Sequence, residues 1–133
     1  MITIIARWEQ AQLPPVVEYQ LWRQIKGAFK VNRIIFVPVI PGLDEYHLEQ
    51  YATLEEALDA TVGAGERVFL EPSGYNPIVD IPQGDIVLIT GNTNNNNLAL
   101  ANVNETYSIA SPAPTHLYPS EAAAIALAIR HGQ

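Results

Sequence analysis

The chain has 133 residues, of which 48% are apolar and 16% are charged. This balance excludes a disordered chain, and the length suits one domain with one core. No apolar run reaches the ~20 residues of a membrane-spanning helix, so no membrane partner is expected. The start, MITIIARWEQ, lacks the features of a signal peptide, and the chain contains no cysteine. A cytoplasmic location without disulfides is therefore predicted.

Charge is distributed unevenly along the chain. The formal net charge is −7, which argues against a phosphate-binding surface if the charges were spread evenly. Five of the seven basic residues nevertheless lie within the first 33 positions. They are Arg7, Arg23, Lys26, Lys30 and Arg33. Any site for a polyanion is therefore expected in the N-terminal quarter.

The first predicted elements are a strand and an amphipathic helix. Residues 2–6 (ITIIA) predict a short buried strand, and a proline pair then begins a helix over about residues 16–30. At 100° per residue, Arg23, Lys26 and Lys30 fall on one side of this helix, where they fit either a phosphate backbone or solvent. The roughly opposite side is expected to face the core and consists of Val17, Leu21, Ile25, Ala28 and Phe29.

Four further strands and two helices are predicted in the rest of the chain. Residues 33–39 (RIIFVPV) are apolar without alternation, which is typical of a strand covered on both faces. Thr53 and Glu56 form a capping box, so a helix is expected over residues 53–65, where glycines end it. The remaining predicted elements are strands over residues 67–72, 86–90 and 107–111 and a helix over residues 119–132.

This order of elements predicts the fold class. Apolar strands separated by helices indicate an α/β protein with a mostly parallel sheet covered by helices on both faces. In such sheets ligands bind beyond the carboxyl ends of the strands. A site is therefore expected in residues 71–75, 91–97 and 111–117. The last helix contains AAAIALAI and is apolar on all sides, so a second copy of the chain is the simplest cover for its outer side.

The segment GNTNNNN (residues 91–97) fits two interpretations. Glycine lets a ligand approach the backbone closely, and asparagine tolerates left-handed backbone conformations, so a ligand-binding loop is one of them. The other is an ordinary connection after a strand, because no dinucleotide fingerprint or P-loop motif is present. The three histidines have no metal-ligand spacing, so no metal site is expected.

Several segments together resemble the SPOUT superfamily, the α/β-knot RNA methyltransferases, and more closely its SpoU-like branch. TLEEALDATVGAGERVFLEPSG and GDIVLITGNT are similar to the middle of the family pattern, and YSIASPAPTHLYPSEAAAIALAI is similar to its last part in layout. The resemblance covers the chain from about Pro15 to the end. It implies a single α/β-knot domain over residues 1–133 with a C-terminal trefoil knot. It also implies bound S-adenosylmethionine and a homodimer formed through the first and last helices.

The resemblance further implies site residues, which are carried over by position. Arg23, or in second place Lys26, corresponds to the helix-borne catalytic arginine of the family. Lys26, Lys30 and Arg33 are the residues expected to contact RNA. Those that would surround the cofactor are Leu70, Glu71, Pro72, Gly91, Asn92, Ile109, Ser111 and Leu117. The implied function is S-adenosylmethionine-dependent methylation of RNA, directed at a ribose 2′-hydroxyl.

Three positions depart from the family pattern. Thr93 stands in place of the glutamate of Gly-Asn-Glu, and His116 and Tyr118 stand in place of a serine and an asparagine. Asparagines also replace the glycines that usually follow that glutamate. The alternative hypothesis is therefore a knotted protein that binds S-adenosylmethionine or a nucleotide without transferring a methyl group. A third hypothesis is a generic α/β nucleotide- or metabolite-binding protein without a knot.

Overall fold

The structure, a computed structural model, describes residues 1–9, 13–91, 97–109 and 117–133. The strands in these ranges are β1 (Ile2–Arg7), β2 (Arg33–Val37), β3 (Glu49–Gln50), β4 (Glu66–Leu70), β5 (Asn76–Pro77), β6 (Ile86–Ile89) and β7 (Thr106–Ser108). They form one sheet in the order β3-β2-β1-β6-β4-β7-β5, and all of the observed pairings are parallel. The predicted parallel α/β sheet is confirmed.

Helices cover both faces of this sheet, as predicted. The α-helices of the described ranges are α1 (Pro15–Phe29), α2 (Leu54–Ala60) and α3 (Pro119–His131). Buried side chains of α1 and α3 share one apolar cluster with the sheet, whereas α2 packs in a second cluster that contains Phe69 and Ile89. Because side chains alternate between the two faces of a strand, the two clusters lie on opposite faces.

The second helix is shorter than predicted. Its start agrees with the sequence, because the backbone N–H of Glu56 donates to the hydroxyl of Thr53 at 3.2 Å. Its end comes at Ala60 rather than at residue 65. There the hydroxyl of Thr61 donates to the carbonyl oxygen of Ala57 at 3.1 Å. Such a threonine bond competes with the helical backbone pattern and accounts for the early end.

The buried face of α1 differs from the predicted one. Its buried residues are Glu18, Trp22 and Ile25, and of the predicted apolar set only Ile25 is among them. Val17 is 47% exposed. Trp22 is fully buried in the cluster between the helix and the sheet. An indole has the largest side-chain area to remove from water, and its burial sets the rotation of the helix.

The connection between β4 and β5 crosses over β7. The strand β7 lies between these two in the sheet, although β5 directly follows β4 in the sequence. Leu70 and Asn76 both pair with Tyr107, from opposite sides, so residues 71–75 pass over β7. The crossing is close at Gly74. A Cβ atom added there would lie 2.7 Å from the backbone nitrogen of Ser108 and closer still to the carbonyl carbon of Tyr107. Glycine is required at this point for steric reasons.

Candidate functional site

Parallel pairing brings the carboxyl ends of β1, β4, β6 and β7 to one edge of the sheet. Arg7 is the last residue of β1, and Glu71 follows β4. Thr90 and Gly91 follow β6, and Ile109 follows β7. We call this the carboxyl edge. It gathers polar residues from distant parts of the chain where the sequence analysis expects a site.

Glu71 is the buried acid of the carboxyl edge. The residue is 4% exposed, and its side-chain Oε1 accepts the backbone N–H of Asn97 at 2.8 Å. Its own backbone N–H donates to the carbonyl oxygen of Tyr107 at 3.0 Å. Burial raises the pKa of Glu71, while the hydrogen bond from Asn97 and the charge of Arg7 act in the opposite direction. Glu71 therefore fixes the backbone at Asn97, the last residue of the asparagine run, to the end of β4.

Asn97 closes the loop that begins at Gly91. Its side-chain Nδ2 donates to the carbonyl oxygen of Thr90 at 2.9 Å, while its backbone N–H binds Glu71. Asn97 is 1% exposed, so both bonds are shielded from water. The two ends of the loop are thus fastened to each other and to the end of β4. The residues between them, 92–96, which include the predicted cofactor residue Asn92, lie outside the described residues.

Arg7 is the cation of the carboxyl edge, and the sequence analysis did not assign it to the site. Its backbone N–H donates to the hydroxyl of Thr90 at 3.1 Å. Its side chain is half-buried, and its Nε atom is buried without a hydrogen-bond partner in the described part of the chain. Burial lowers the pKa of Arg7, and the nearby charge of Glu71 acts to raise it. A guanidinium remains protonated in such surroundings, so the edge carries a positive charge.

The strand register explains why Arg7 and Glu71 lie near each other across an intervening strand. Ile5 and Phe69 both point into the cluster under α2. Side chains alternate along a strand, so Arg7 and Glu71, two residues further on, point to the same face. Ile5 and Phe69 pair with one residue of β6, and the register continued by two residues reaches Gly91. Glycine adds no side chain there to separate the two charges.

The predicted cofactor-binding residues differ in what they offer to a ligand. Leu70 is buried in the cluster beneath α1 and α3, so its side chain belongs to the core and only its backbone faces the edge. Pro72 is exposed in the turn that follows. The half-buried members of the set are Gly91, Ile109 and Leu117. Ser111 lies outside the described residues.

The residues predicted to contact RNA fall into two groups. Lys26 is exposed on α1, as is the predicted catalytic residue Arg23, and Lys30 is exposed directly after the end of the helix. Arg33, at the start of β2, instead forms a two-point ion pair with Glu49, in which Nε donates to Oε1 at 2.7 Å. This pairing raises the pKa of Arg33 and lowers the pKa of Glu49. The guanidinium of Arg33 is therefore committed to holding β3 on β2.

A second buried acid, Glu18, ties the segment after β1 to α1. Its carboxylate accepts the backbone N–H of Glu9 at 2.7 Å and the indole N–H of Trp22 at 3.4 Å. Burial raises the pKa of Glu18 to about 7, the hydrogen bonds from Glu9 and Trp22 act downward, and the charge of Glu9 acts upward. The carboxyl of Glu18 therefore changes its charge near neutral pH.

Glu18→Gln is expected to remove a pH-dependent loss of stability. A folded-state pKa above the ordinary 4.5 means that the native protein keeps a proton which the unfolded chain releases. Stability therefore falls as the pH rises from about 4.5 to about 7, and it stays low above that. The loss is at most about 3.5 kcal/mol at ~1.4 kcal/mol per pKa unit, and less where solvent reaches the carboxyl. Thermal denaturation from about pH 5 to about pH 8 should show a steeper fall in the unaltered chain than in Glu18→Gln, which keeps the smaller contribution of Glu71. An equal fall in both proteins would contradict the assignment.

The carboxyl edge also contains polar atoms that the fold leaves unused. Arg7 Nε is a buried donor and Asn97 Oδ1 is a buried acceptor, and neither has a partner among the described residues. Buried polar atoms are nearly always paired, so these two atoms suit a polar ligand. In the same ranges, no group of three or more histidine, aspartate or glutamate side chains could hold a metal ion. No described helix is long and apolar enough to cross a membrane.

Solved structures share this fold over nearly the whole chain. A candidate RNA methyltransferase from Bacillus anthracis superposes with a TM-score of 0.74 at 14% identity, covering 99% of this chain and 93% of its own. The fold is that of RNA methyltransferases. An AdoMet-bound rRNA methyltransferase from Sinorhizobium meliloti has a TM-score of 0.70 at 15% identity, covering 98% of this chain and 55% of its own. A protein studied for the 2-OH methylation of C/U34 on tRNA has a TM-score of 0.65 at 16% identity, covering 98% of this chain and 94% of its own.

The predicted resemblance is thus confirmed at the level of the fold. The chain spans about half the length of the Sinorhizobium meliloti protein and almost the full length of the Bacillus anthracis protein. No protein-family model matches the chain, and no curated protein sequence is similar to it. The similarity to these methyltransferases is therefore detected in the tertiary structure and not in the sequence.

Proposed function

We propose that this chain is an S-adenosylmethionine-dependent RNA methyltransferase that acts on a ribose 2′-hydroxyl. The observation that carries the proposal is the fold, shared over 98% or more of the chain with proteins described as RNA methyltransferases. One of these neighbours is bound to AdoMet. The carboxyl edge, where parallel sheets bind their ligands, holds a half-buried cation, a buried acid and two unused polar atoms.

The described residues of the carboxyl edge fit such a cofactor. Half-buried Gly91 lets a flat adenine approach the backbone, and the turn after β4 presents backbone groups beside it. Arg7 and Asn97 offer a donor and an acceptor to its polar parts. When bound, S-adenosylmethionine would supply the reactive methyl group. The chain would hold this group, orient it and limit the access of water to it.

Arg23 is the residue that we propose as catalytic. It is exposed on α1 together with Lys26, and exposed Lys30 directly follows the helix, so these three side chains form a basic surface. Positive side chains attract a phosphate backbone, and the remaining acidic surface would direct RNA to this helix. The role of Arg23 would be to hold the target ribose in line with the methyl group, because positioning contributes much of the rate of such a transfer.

We further propose that the C-terminal half is knotted and that the protein is a homodimer. The passage of residues 71–75 over β7 supports the knot, since β7 comes later in the chain and lies beneath this connection.

Exposed apolar side chains on both α1 and α3 support a dimer through these helices, namely Val16, Val17 and Ile125. Sedimentation at twice the mass of the chain would support the dimer, and sedimentation at the mass of one chain would overturn it.

The test is transfer of a labelled methyl group from S-adenosylmethionine to bulk RNA. We expect incorporation that Arg23→Ala reduces by about 100-fold or more, because the ribose loses its alignment. The matched control is Gln24→Ala, at an exposed neighbouring position on the same helix, which should leave incorporation within about twofold. Incorporation that survives Arg23→Ala unchanged would reject the assignment of Arg23.

One observation favours the alternative, a knotted protein that binds S-adenosylmethionine or a nucleotide without methyl transfer. Of the five N-terminal cations, Arg7 belongs to the carboxyl edge and Arg33 is paired with Glu49. Three cations remain for RNA on a chain of net charge −7, which limits the number of phosphate contacts. Cofactor binding in titration calorimetry without incorporation into RNA would favour this alternative. No binding at millimolar S-adenosylmethionine would reject both proposals.

A further inference from the structure

The unused polar atoms at the carboxyl edge match the two charges of an α-amino acid. We propose that Arg7 binds the carboxylate, and Asn97 the ammonium group, of the methionine part of S-adenosylmethionine. This inference rests on the proposed function and deepens it, because it assigns residues to the amino-acid end of the cofactor.

Arg7 and Asn97 are both fastened to Thr90, and both lie beside Glu71. The backbone N–H of Arg7 donates to the hydroxyl of Thr90 at 3.1 Å, and Asn97 Nδ2 donates to the carbonyl oxygen of Thr90 at 2.9 Å. A carbonyl oxygen only accepts, so the amide nitrogen of Asn97 must face it and the amide oxygen must face away. The free acceptor of Asn97 is therefore determined by its surroundings.

The chemistry of the pair selects the ligand class. A guanidinium binds a carboxylate with short, charge-assisted hydrogen bonds and accepts none itself, so Arg7 favours an anionic partner. The amide oxygen of Asn97 requires a donor, and the nearby carboxylate of Glu71 favours a positive one. A phosphate would satisfy Arg7 and leave the acceptor of Asn97 unpaired. An ammonium and a carboxylate on one carbon atom satisfy both.

The burial of these atoms makes the match specific. Arg7 Nε and Asn97 Oδ1 are both inaccessible to solvent, so water does not pair with them as it would at a surface. A buried polar atom without a partner destabilises the protein, and a ligand that supplies the partner recovers that free energy on binding.

The test compares two ligands that differ only at the amino-acid end. S-adenosylhomocysteine carries the ammonium and carboxylate groups, whereas 5′-methylthioadenosine has a methyl group in place of the whole aminocarboxypropyl chain and keeps the same nucleoside and thioether. Titration calorimetry should show that the unaltered chain binds S-adenosylhomocysteine about 10- to 100-fold more tightly, the effect of charge-assisted hydrogen bonds. We call the dissociation constant for 5′-methylthioadenosine divided by that for S-adenosylhomocysteine the tail preference.

Arg7→Gln is expected to lower the tail preference by about tenfold and to leave the affinity for 5′-methylthioadenosine within about twofold. Arg7→Lys keeps the charge without the planar fork and should give an intermediate value. The matched control is Arg67→Gln, the same substitution on β4 near the opposite edge of the sheet, which should leave the tail preference unchanged. Melting temperatures without ligand show whether each variant is folded.

The outcomes separate this inference from the proposed function. If the unaltered chain binds neither ligand, the proposed cofactor is wrong and this inference falls with it. Equal affinity for both ligands would reject the inference while cofactor binding stands. If Arg7→Gln weakens both ligands equally, Arg7 serves the fold of the edge, and the inference is rejected. A tail preference that decreases in Arg7→Gln alone would support it.

Discussion

Glu71→Ala is expected to weaken S-adenosylmethionine binding by about tenfold or more and to lower stability by about 2 kcal/mol. The carboxylate of Glu71 accepts the backbone N–H of Asn97 in a site that excludes water. Without it this N–H is left unsatisfied, which costs about 1–3 kcal/mol. Arg7 loses its nearby negative charge as well. Since the same contact closes the loop that begins at Gly91, the cofactor side of the edge should become less ordered.

Calorimetric titration with S-adenosylmethionine and thermal denaturation measure the two effects of Glu71→Ala separately. The matched control is Glu66→Ala, at the exposed amino end of the same strand, which should change neither quantity by more than about 0.5 kcal/mol. A variant that melts earlier and binds the cofactor unchanged would show that Glu71 serves the fold only. A variant that keeps both properties would show that Asn97 finds another acceptor.

Local signals explain why all of the predicted helices and strands are present. Apolar runs without alternation predict strands covered on both faces, and Thr53 with Glu56 predicts the start of α2. These signals depend on a few neighbouring residues. The two-residue strands β3 and β5 carry no such signal, because their pairing depends on contacts such as the bond between Arg33 and Glu49. The strand order is equally non-local, and it came from the structure alone.

The wrong face of α1 has a physical cause in Glu18. Periodicity assigns apolar residues to the core and charged residues to solvent, yet this carboxyl is buried because the backbone N–H of Glu9 and the indole of Trp22 donate to it. A helix that buries an acid and a tryptophan turns its valines outward. The exposed Val17 then lies on the surface for which we propose a partner subunit.

The residues of the candidate site that directly follow strands could be predicted from the sequence. Those whose position depends on the pairing of one strand with another could not. Glu71 and Gly91 come directly after apolar strands, so a parallel sheet places them at the carboxyl edge. Arg7 comes after such a strand too, and this position is the signal that could have identified it. Its nearness to Glu71 requires the pairing of both strands with β6. Asn97 carries no signal that distinguishes it from the asparagines before it.

Gly74→Ala is expected to lower stability by about 3 kcal/mol and the melting temperature by roughly 10 °C. The added Cβ atom would lie 2.7 Å from the backbone nitrogen of Ser108 and closer still to the carbonyl carbon of Tyr107. Backbone atoms cannot rotate away as a side chain can, so the whole crossing of residues 71–75 over β7 must widen. Thermal denaturation measures the loss. The matched control is Gly84→Ala, where an added Cβ atom has no neighbour within 4 Å, and its melting temperature should stay within a few degrees.

The same substitution tests whether the crossing positions the candidate site. The backbone N–H of Gly74 donates to the carbonyl oxygen of Glu71 at 3.0 Å, so both residues belong to one turn. A crossing that widens at Gly74 should move Glu71 away from Asn97, and S-adenosylmethionine binding should weaken in the folded fraction of the variant. An unchanged melting temperature would mean that the turn can lift from β7 without cost. Unchanged binding in a destabilised variant would mean that the carboxyl edge is held independently of the crossing, by the contacts of Thr90 and Asn97 with β1 and β6.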